Sequence, residues 1–509
     1  MDHVKAGQKR RQLTKTLKPS WVFAIALGSS VGWGAFILPG DWIGESGPLG
    51  AMIGLLIGAL VMMVIASSYG VMIKKFPVSG GGFTYAFIAS GKIWAFICGW
   101  FLSLGYISIV ALNASAFSLL LKFLAPGFMK QMYLYSIAGW DVYLPEVIIS
   151  SLIILLFAVV NSTGTDISGR IQFYFSVFLV AGVVILGAFT FGTSESPLEN
   201  MKPLFSGGQS VLTSILVILA IAPWAYVGFD NVPQAAEEFN FSPRKATMLI
   251  VASLFTSFLI YAIMIGLTAW TFPAGAALNG NLWLTGEVVN TALGFGGLVV
   301  MAVAIMMGIF TGLNGFYMSS SRLLFSMARA RALPDMFRKI SKKNQTPVWG
   351  IWFVTLITLP TPWFGRQALS WIVDMSSTGV SVAYLFTCVA AYKVLAWGKE
   401  EANREIAPVK KGLALTGMAA STAFLLLLLL PFSPAALTTP SYVLLIGWAV
   451  LGGVFYAAIR NKYNSLSQEE TEYYILGKSI ESEVDTSVGV ETAPPVPNKT
   501  PSPNTGIPT

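Results

Sequence analysis

Gly28-Ser29-Ser30-Val31-Gly32-Trp33-Gly34-Ala35-Phe36-Ile37-Leu38-Pro39-Gly40 lies inside the first long apolar stretch of the chain and is poor material for an unbroken helix. A glycine in mid-helix costs about 1 kcal/mol relative to alanine, and here Gly28, Gly32 and Gly34 crowd together ahead of Pro39. Irregular backbone at membrane depth survives only where protein or a wet cavity satisfies its polar groups. The stretch therefore predicts a spanning helix interrupted over residues 29–34, near the bilayer midplane. Free amides at the start of its outer half would face a negative ligand group, because a helix N-terminus carries partial positive charge. The competing reading is a glycine-lined packing face between helices.

A second stretch has the same character. Ala220-Ile221-Ala222-Pro223-Trp224-Ala225-Tyr226-Val227-Gly228-Phe229-Asp230 places a proline and a glycine in mid-span. Proline removes a backbone donor and clashes with the preceding turn, which predicts a break near residues 221–225. A proline kink without unwinding is the alternative. Stretches of roughly 20 apolar residues number twelve, at about 19–44, 49–73, 92–124, 144–161, 170–191, 210–238, 246–272, 294–327, 348–363, 367–393, 412–431 and 440–459. The two interrupted stretches are the first and the sixth. That spacing implies two five-helix repeats, residues 19–191 and 210–393, followed by two more helices at 411–460. Paired interruptions in corresponding halves point to a transporter's binding site.

Composition agrees with a polytopic membrane protein. Of 509 residues, 55% are hydrophobic and 11% charged, against about 25% charged in soluble proteins. The formal charge of +8 raises nucleic acid as a partner, but its placement argues for the lipid bilayer instead. Lys5, Lys9, Arg10, Arg11, Lys15 and Lys18 form a basic N-terminus over residues 1–18. Lys74/Lys75, Arg170, Arg244/Lys245, the 322–343 run and Lys393 through Lys411 fall on the same side of the alternating spans. The opposite side is poor in such residues, with Lys122, Lys130, Lys202 and Arg366. Both termini are expected in the cytoplasm of a cell-membrane protein, and no small-residue cleavage site precedes the first span.

Cys98 and Cys388 both lie in apolar spans, and His3, the one histidine, lies in the N-terminal tail. Neither a disulfide framework, a metal site nor a cofactor is implied. The loop Phe76–Gly91 reads either as a short interfacial helix or as a plain connection. Residues 461–509, acidic and then rich in Pro, Thr, Ser and Asn, read as a disordered tail.

On these residues the chain resembles the amino acid–polyamine–organocation (APC) transporter superfamily. Gly28 through Gly40 is similar to its first-helix pattern G-x-x-I-G-x-G-I-F-x-x-P-G. Ala225-Tyr226-Val227-Gly228-Phe229-Asp230 with Ala235-Ala236-Glu237-Glu238 and Pro243 resembles its sixth-helix signature. Ser320-Ser321-Arg322 with Ala328-Arg329-Ala330 and Leu333-Pro334 looks like the end of its eighth helix, and Pro77 with Ser79-Gly80-Gly81 like the loop after its second. The resemblance covers about residues 19–460. It implies an all-α integral membrane protein of the LeuT-type fold, twelve helices in a five-plus-five inverted repeat plus two. It implies secondary transport of an amino acid or amine by the interrupted first and sixth helices. Carried over by position, Ser30, Gly32, Trp33 and Gly34 would meet a substrate carboxylate, with Ser29 and Val31 in the same substrate site. Trp224, Ala225, Tyr226 and Val227 would meet its amine and side chain, flanked by Cys98 and Ser103. Two departures stand out. Trp33 occupies a position usually held by a small residue, and either narrows the pocket or packs into a helix interface. Residues 171–191 contain no Lys, Asp or Glu, so the fifth-helix lysine of some proton-coupled members is missing.

Charges within spans are costly and read as functional by default. Asp230, just beyond the predicted break, is the candidate proton carrier; its competing reading is a solvated interfacial carboxylate. Asp374 and Glu45 read as interfacial. Carbonyls of Ser29–Val31 with Thr311 and Asn314 of the eighth helix form a rival sodium site. No Walker-type motif is present, so the energy source is expected to be an ion gradient or exchange, as symporter or antiporter. With no intramembrane histidine and almost no intramembrane carboxylate, a membrane enzyme has little to work with. The expected cargo is a neutral amino acid, with a cationic amine, polyamine or ethanolamine-like organocation as the runner-up.

Overall fold

The computed structural model describes residues 13–137, 139–271, 283–365, 367–397, 406–433, 436–477 and 480. Lys5, Lys9, Arg10, Arg11, His3, Arg366 and the tail from 481 onward lie outside the described residues. Among those described, nine helices are long and apolar enough to cross a membrane, and three apolar helices are shorter: Pro19–Val31, Val211–Ala220 and Val348–Phe364. Two of the short ones belong to the stretches that glycine and proline interrupt. Among the described residues it is an all-α membrane protein apart from one hairpin, in which Tyr133–Ile137 pairs antiparallel with Trp140–Tyr143.

Local chemistry explains the helix boundaries. The second helix, Pro48–Lys75, starts with proline behind Gly47 at φ 74° and ends with Lys74 and Lys75 in its last turn, where cations complement the helix dipole. The eighth, Leu284–Arg329, runs 46 residues, about 70 Å if straight and too long for one crossing. Gly294, at φ 63°, divides it, and the crossing part begins where the apolar stretch at 294 begins.

Packing is pairwise and extensive. The third helix (Lys92–Leu124) lies along the tenth (Gln367–Trp397), and the fifth (Thr165–Thr190) along the eighth. The first helix packs on the seventh (Arg244–Thr271), the outer part of the sixth (Val211–Ala220) on the second, and the second on the seventh. The first helix is central: nearly every residue from Trp21 to Val31 is buried.

Two local expectations are revised. The Phe76–Gly91 loop does contain a helix, Gly81–Ser90, but Gly81 to Ala89 are buried and it packs against the third and tenth helices instead of lying on the bilayer surface. In the tail, residues 461–464 continue the helix Thr439–Asn464 and a further helix follows. Ser467 and Glu470 form a capping box that starts the helix Gln468–Leu476, a local signal that composition overrode. Ile475 and Leu476 of this helix are buried. Around it, Asp335 binds Arg331 at 2.6 Å, Lys462 at 2.7 Å and Arg338 at 3.3 Å, joining the loop after the eighth helix to the end of the last.

Candidate functional site

The first helix stops at Val31, Gly32 adopts φ 52°, and a new turn starts at Gly34. The interruption is narrower than 29–34, since Ser29, Ser30 and Val31 remain helical. In the sixth helix Val211–Ala220 ends, Pro223 sits in a single turn, Ala222–Ala225, and the irregular part is Tyr226–Asp230. The break thus lies later than 221–225: proline opens a fresh helical turn, and Gly228, at φ 128°, makes the actual departure. The two interruptions touch. A Cβ on Gly228 would stand 2.5 Å from the Ser29 carbonyl carbon and 2.6 Å from Ser30 N, so only glycine allows this approach. Ser30 Oγ donates to Tyr226 O at 3.2 Å, satisfying a carbonyl that the break frees.

Tyr261 of the seventh helix ties both interruptions together. Its hydroxyl is 2.6 Å from Ala225 O, 2.9 Å from Ser30 O and 3.5 Å from Val31 O. One phenol proton serves one of these acceptors at a time, so carbonyl oxygens remain to receive an ammonium group. Beside them lies a cavity of about 30 Å³, lined by Ser29 through Gly34, by Trp224, Ala225 and Val227, and by Ile109, Leu112, Asn113 and Tyr261. That volume holds roughly one or two waters. The Trp33 and Trp224 indoles, edge to face at 6.2 Å, take up the space, and a small cluster including Leu104, Leu112 and Met375 packs against them. None of the lining residues is charged.

The structure brings Ser29, Ser30, Val31, Gly32, Trp33, Gly34, Trp224, Ala225 and Val227 to the cavity and puts three other candidates elsewhere. Cys98 contacts Gly82 O at 3.4 Å, Ser103 donates to Trp100 O, and the Tyr226 hydroxyl donates to Leu55 O. The third helix instead presents Ile109, Leu112 and Asn113, about three turns beyond Cys98. Asn113 is 3% exposed, its Nδ2 donates to Ile109 O, and its Oδ1 has no partner. The Ser29 hydroxyl, also buried, has none either. The i, i+3, i+4 spacing was readable, but not its depth.

Thr311 and Asn314 sit in a hydrogen-bonded network. Thr311 Oγ1 lies 2.9 Å from Gly28 O. Asn314 Oδ1 accepts from Asn161 and Ser168, and its Nδ2 donates to Gln172 Oε1 and Ser168 O. Gln172 of the fifth helix in turn donates to Ala24 O and Thr311 O, each at 3.2 Å. Asp230 is fully buried rather than interfacial. Its Oδ2 receives the Tyr106 hydroxyl at 2.7 Å and its Oδ1 the Gly228 amide at 2.9 Å.

Beyond the sixth-helix break lie two buried ion pairs. Glu238 meets Arg322, and Glu237 meets Arg329 at 2.8 Å. Glu238 also accepts from Thr165, and Glu237 from the amides of Leu13 and Ser79. The residues ahead of the first helix lie across them: Thr16 and Leu17 donate to Glu238 O. Both pairs came from motif positions that sequence reading used for recognition and not for function.

Interrupted helices meeting over a polar cavity in an apolar bundle mark a membrane transport protein. The family model described as amino acid permease matches residues 17–455, and the chain belongs to that family, within the APC superfamily. Similar proteins include the branched-chain amino acid permease BcaP of Lactococcus lactis, 27% identical over 73% of this chain and 80% of its own. The methylthioribose transporter of Bacillus subtilis is 25% identical over 76% and 84%, and the lysine-specific permease LysP of Lactococcus lactis 25% over 75% and 76%.

Proposed function

We propose that the chain is a secondary transporter that moves neutral amino acids across the cell membrane by alternating access. The observation carrying this reading is the contact of two interrupted helices, at Gly228 and Ser29, over one polar cavity. The helix pairing supports the five-plus-five inverted repeat with two added helices. Adding five to each number turns third–tenth into eighth–fifth and first–seventh into sixth–second, and maps second–seventh onto itself.

The half-helix starting at Gly34 offers amides to a carboxylate, and the carbonyls around Tyr261 accept an ammonium. An uncharged lining favours a neutral side chain, since a cationic one would be desolvated without a counter-charge. The runner-up, a cationic amine, draws on the Trp33–Trp224 pair through cation–π contact. The named cargoes of the relatives differ, so identity at this level does not choose. The test is uptake of labelled amino acids and amines into proteoliposomes, with proton and sodium gradients imposed separately. Neutral amino acids are expected to compete for uptake better than amines lacking the carboxylate; the reverse order would remove the neutral amino-acid reading.

Asn113 gives a sharper check. Its unpartnered carbonyl is the side-chain acceptor of the third helix at the cavity, and a lost hydrogen bond to a charged group is worth about 1.5–3 kcal/mol. Asn113→Leu is expected to raise the KM for the best substrate at least about tenfold, with normal amounts of protein in the membrane. An unchanged KM would take Asn113 out of the site.

For energy coupling, proton symport through Asp230 or exchange is favoured. The sodium reading is weaker, because the oxygen of Asn314 already accepts two hydrogen bonds and Ser29, Ser30 and Val31 remain helical.

A further inference from the structure

Tyr106 lies in the middle of the third helix, wholly buried, and does not line the cavity. Its hydroxyl is 2.7 Å from Asp230 Oδ2 and 3.1 Å from the main-chain oxygen of the same residue. Gln234 Nε2 donates to it at 3.3 Å. A phenol has one proton and two lone pairs, so it makes one of the two bonds to Asp230 as donor at any moment. With Asp230 ionised, the phenol donates to Oδ2. A proton arriving on the carboxyl goes to Oδ2, because Oδ1 already faces the Gly228 amide. The new Oδ2–H then donates to the Tyr106 oxygen, and the phenol proton turns to the Asp230 carbonyl.

We propose that Tyr106 is a positioning residue that reads the charge on Asp230, a hydroxyl rotor whose second setting bonds the backbone of the interrupted sixth helix. Protonation would thereby reach the irregular segment Tyr226–Asp230, against which Ser29 and Ser30 of the first helix rest. The inference depends on Asp230 being the coupling group. The other titratable groups facing Asp230 are Tyr69 of the second helix and Tyr384 of the tenth, both within electrostatic reach. Their rings pack on Phe229 at 5.6 Å and 5.4 Å. All are neutral at physiological pH, so the phenol proton of Tyr106 is the mobile hydrogen closest to the carboxylate.

The test measures gradient-driven uptake of the best amino acid from the panel at a series of external pH values, for wild type, Asp230→Asn, Tyr106→Phe and Gln234→Met. Counterflow exchange at equal pH reports that each protein is folded and binds substrate. Tyr106→Phe keeps the ring against Phe316, now at 5.7 Å, and removes only the hydroxyl. It should retain exchange while half-maximal uptake moves to higher pH by about one unit, because the ionised carboxylate has lost a donor. Gln234→Met keeps the phenol but removes the donor that polarises it, and should shift the profile the same way by less. If Tyr106→Phe does not fold, Gln234→Met decides. Profiles that superimpose on wild type, with the pH dependence abolished in Asp230→Asn, would overturn the rotor and leave Asp230 standing. An unchanged profile in Asp230→Asn would overturn both.

Discussion

Asp230→Asn is expected to abolish accumulation of substrate against its gradient while preserving exchange. A coupled proton stores about 1.4 kcal/mol per unit of pH difference, enough for tenfold accumulation at one proton per substrate. To use it, some group must take up and release a proton between the two facing states. Asp230 is buried at the interruption of the sixth helix, two residues from the glycine that touches the first helix. Its carboxylate receives the Tyr106 hydroxyl and the Gly228 amide and has no cationic partner among the described residues. Water entering from one side stabilises the charged form, and closure favours the neutral one. Asparagine has the shape of the neutral form, and its amide can donate to Tyr106 as the protonated acid would. Uptake driven by an imposed pH gradient should fall to the equilibration level, with counterflow within about twofold of wild type. Undiminished accumulation would leave exchange or sodium coupling as the better account.

Glu238→Ala is expected to have the largest effect on conformational stability. The Glu238–Arg322 pair has side chains 1% and 4% exposed, and Thr165 and Met318 O complete its hydrogen bonds. Removing one partner of such a pair costs about 3–5 kcal/mol, because the other charge is left buried. The cost falls on the arrangement seen here, in which the chain ahead of the first helix crosses the pair. The variant should melt at lower temperature in detergent. It should also expose the two native cysteines, both buried, to a thiol reagent much faster than wild type. Exchanging the charges, Glu238→Arg with Arg322→Glu, should restore part of the protection. Labelling and melting equal to wild type would show that the pair does not hold the inner side shut.

The architecture was legible where composition alone decides it. Long apolar runs have to be helices because nothing else satisfies the backbone in lipid, and Gly32 and Gly228 marked both interruptions within a few residues. The site was less legible because depth along a helix is not written in composition. The third helix has 33 residues, well beyond the roughly 20 needed to cross. Its pocket-facing turn could therefore be assigned to Cys98 and Ser103 or, as found, to Ile109 and Asn113. Burial was misjudged for the same reason: the Gly81–Ser90 helix looks superficial by position in the chain, yet other helices cover it. The Trp140 hairpin was missed although its aromatic and β-branched residues around Gly139 carry a strand signal.

The knot of charge at Asp335 bears on how this end of the molecule meets acid. Burial by itself would push this carboxyl up, but Lys462, Arg338 and Arg331 outweigh it and hold it below the usual carboxylate range. A carboxylate depressed in the folded state contributes its stability above the unfolded value, and loses it only as pH falls through the lower folded value. The fastening between the eighth-helix loop and the helix Thr439–Asn464 is therefore already saturated with positive partners and outlasts mild acid. The molecule separates two kinds of carboxyl: Asp230, sealed among tyrosines, and Asp335, caged by cations.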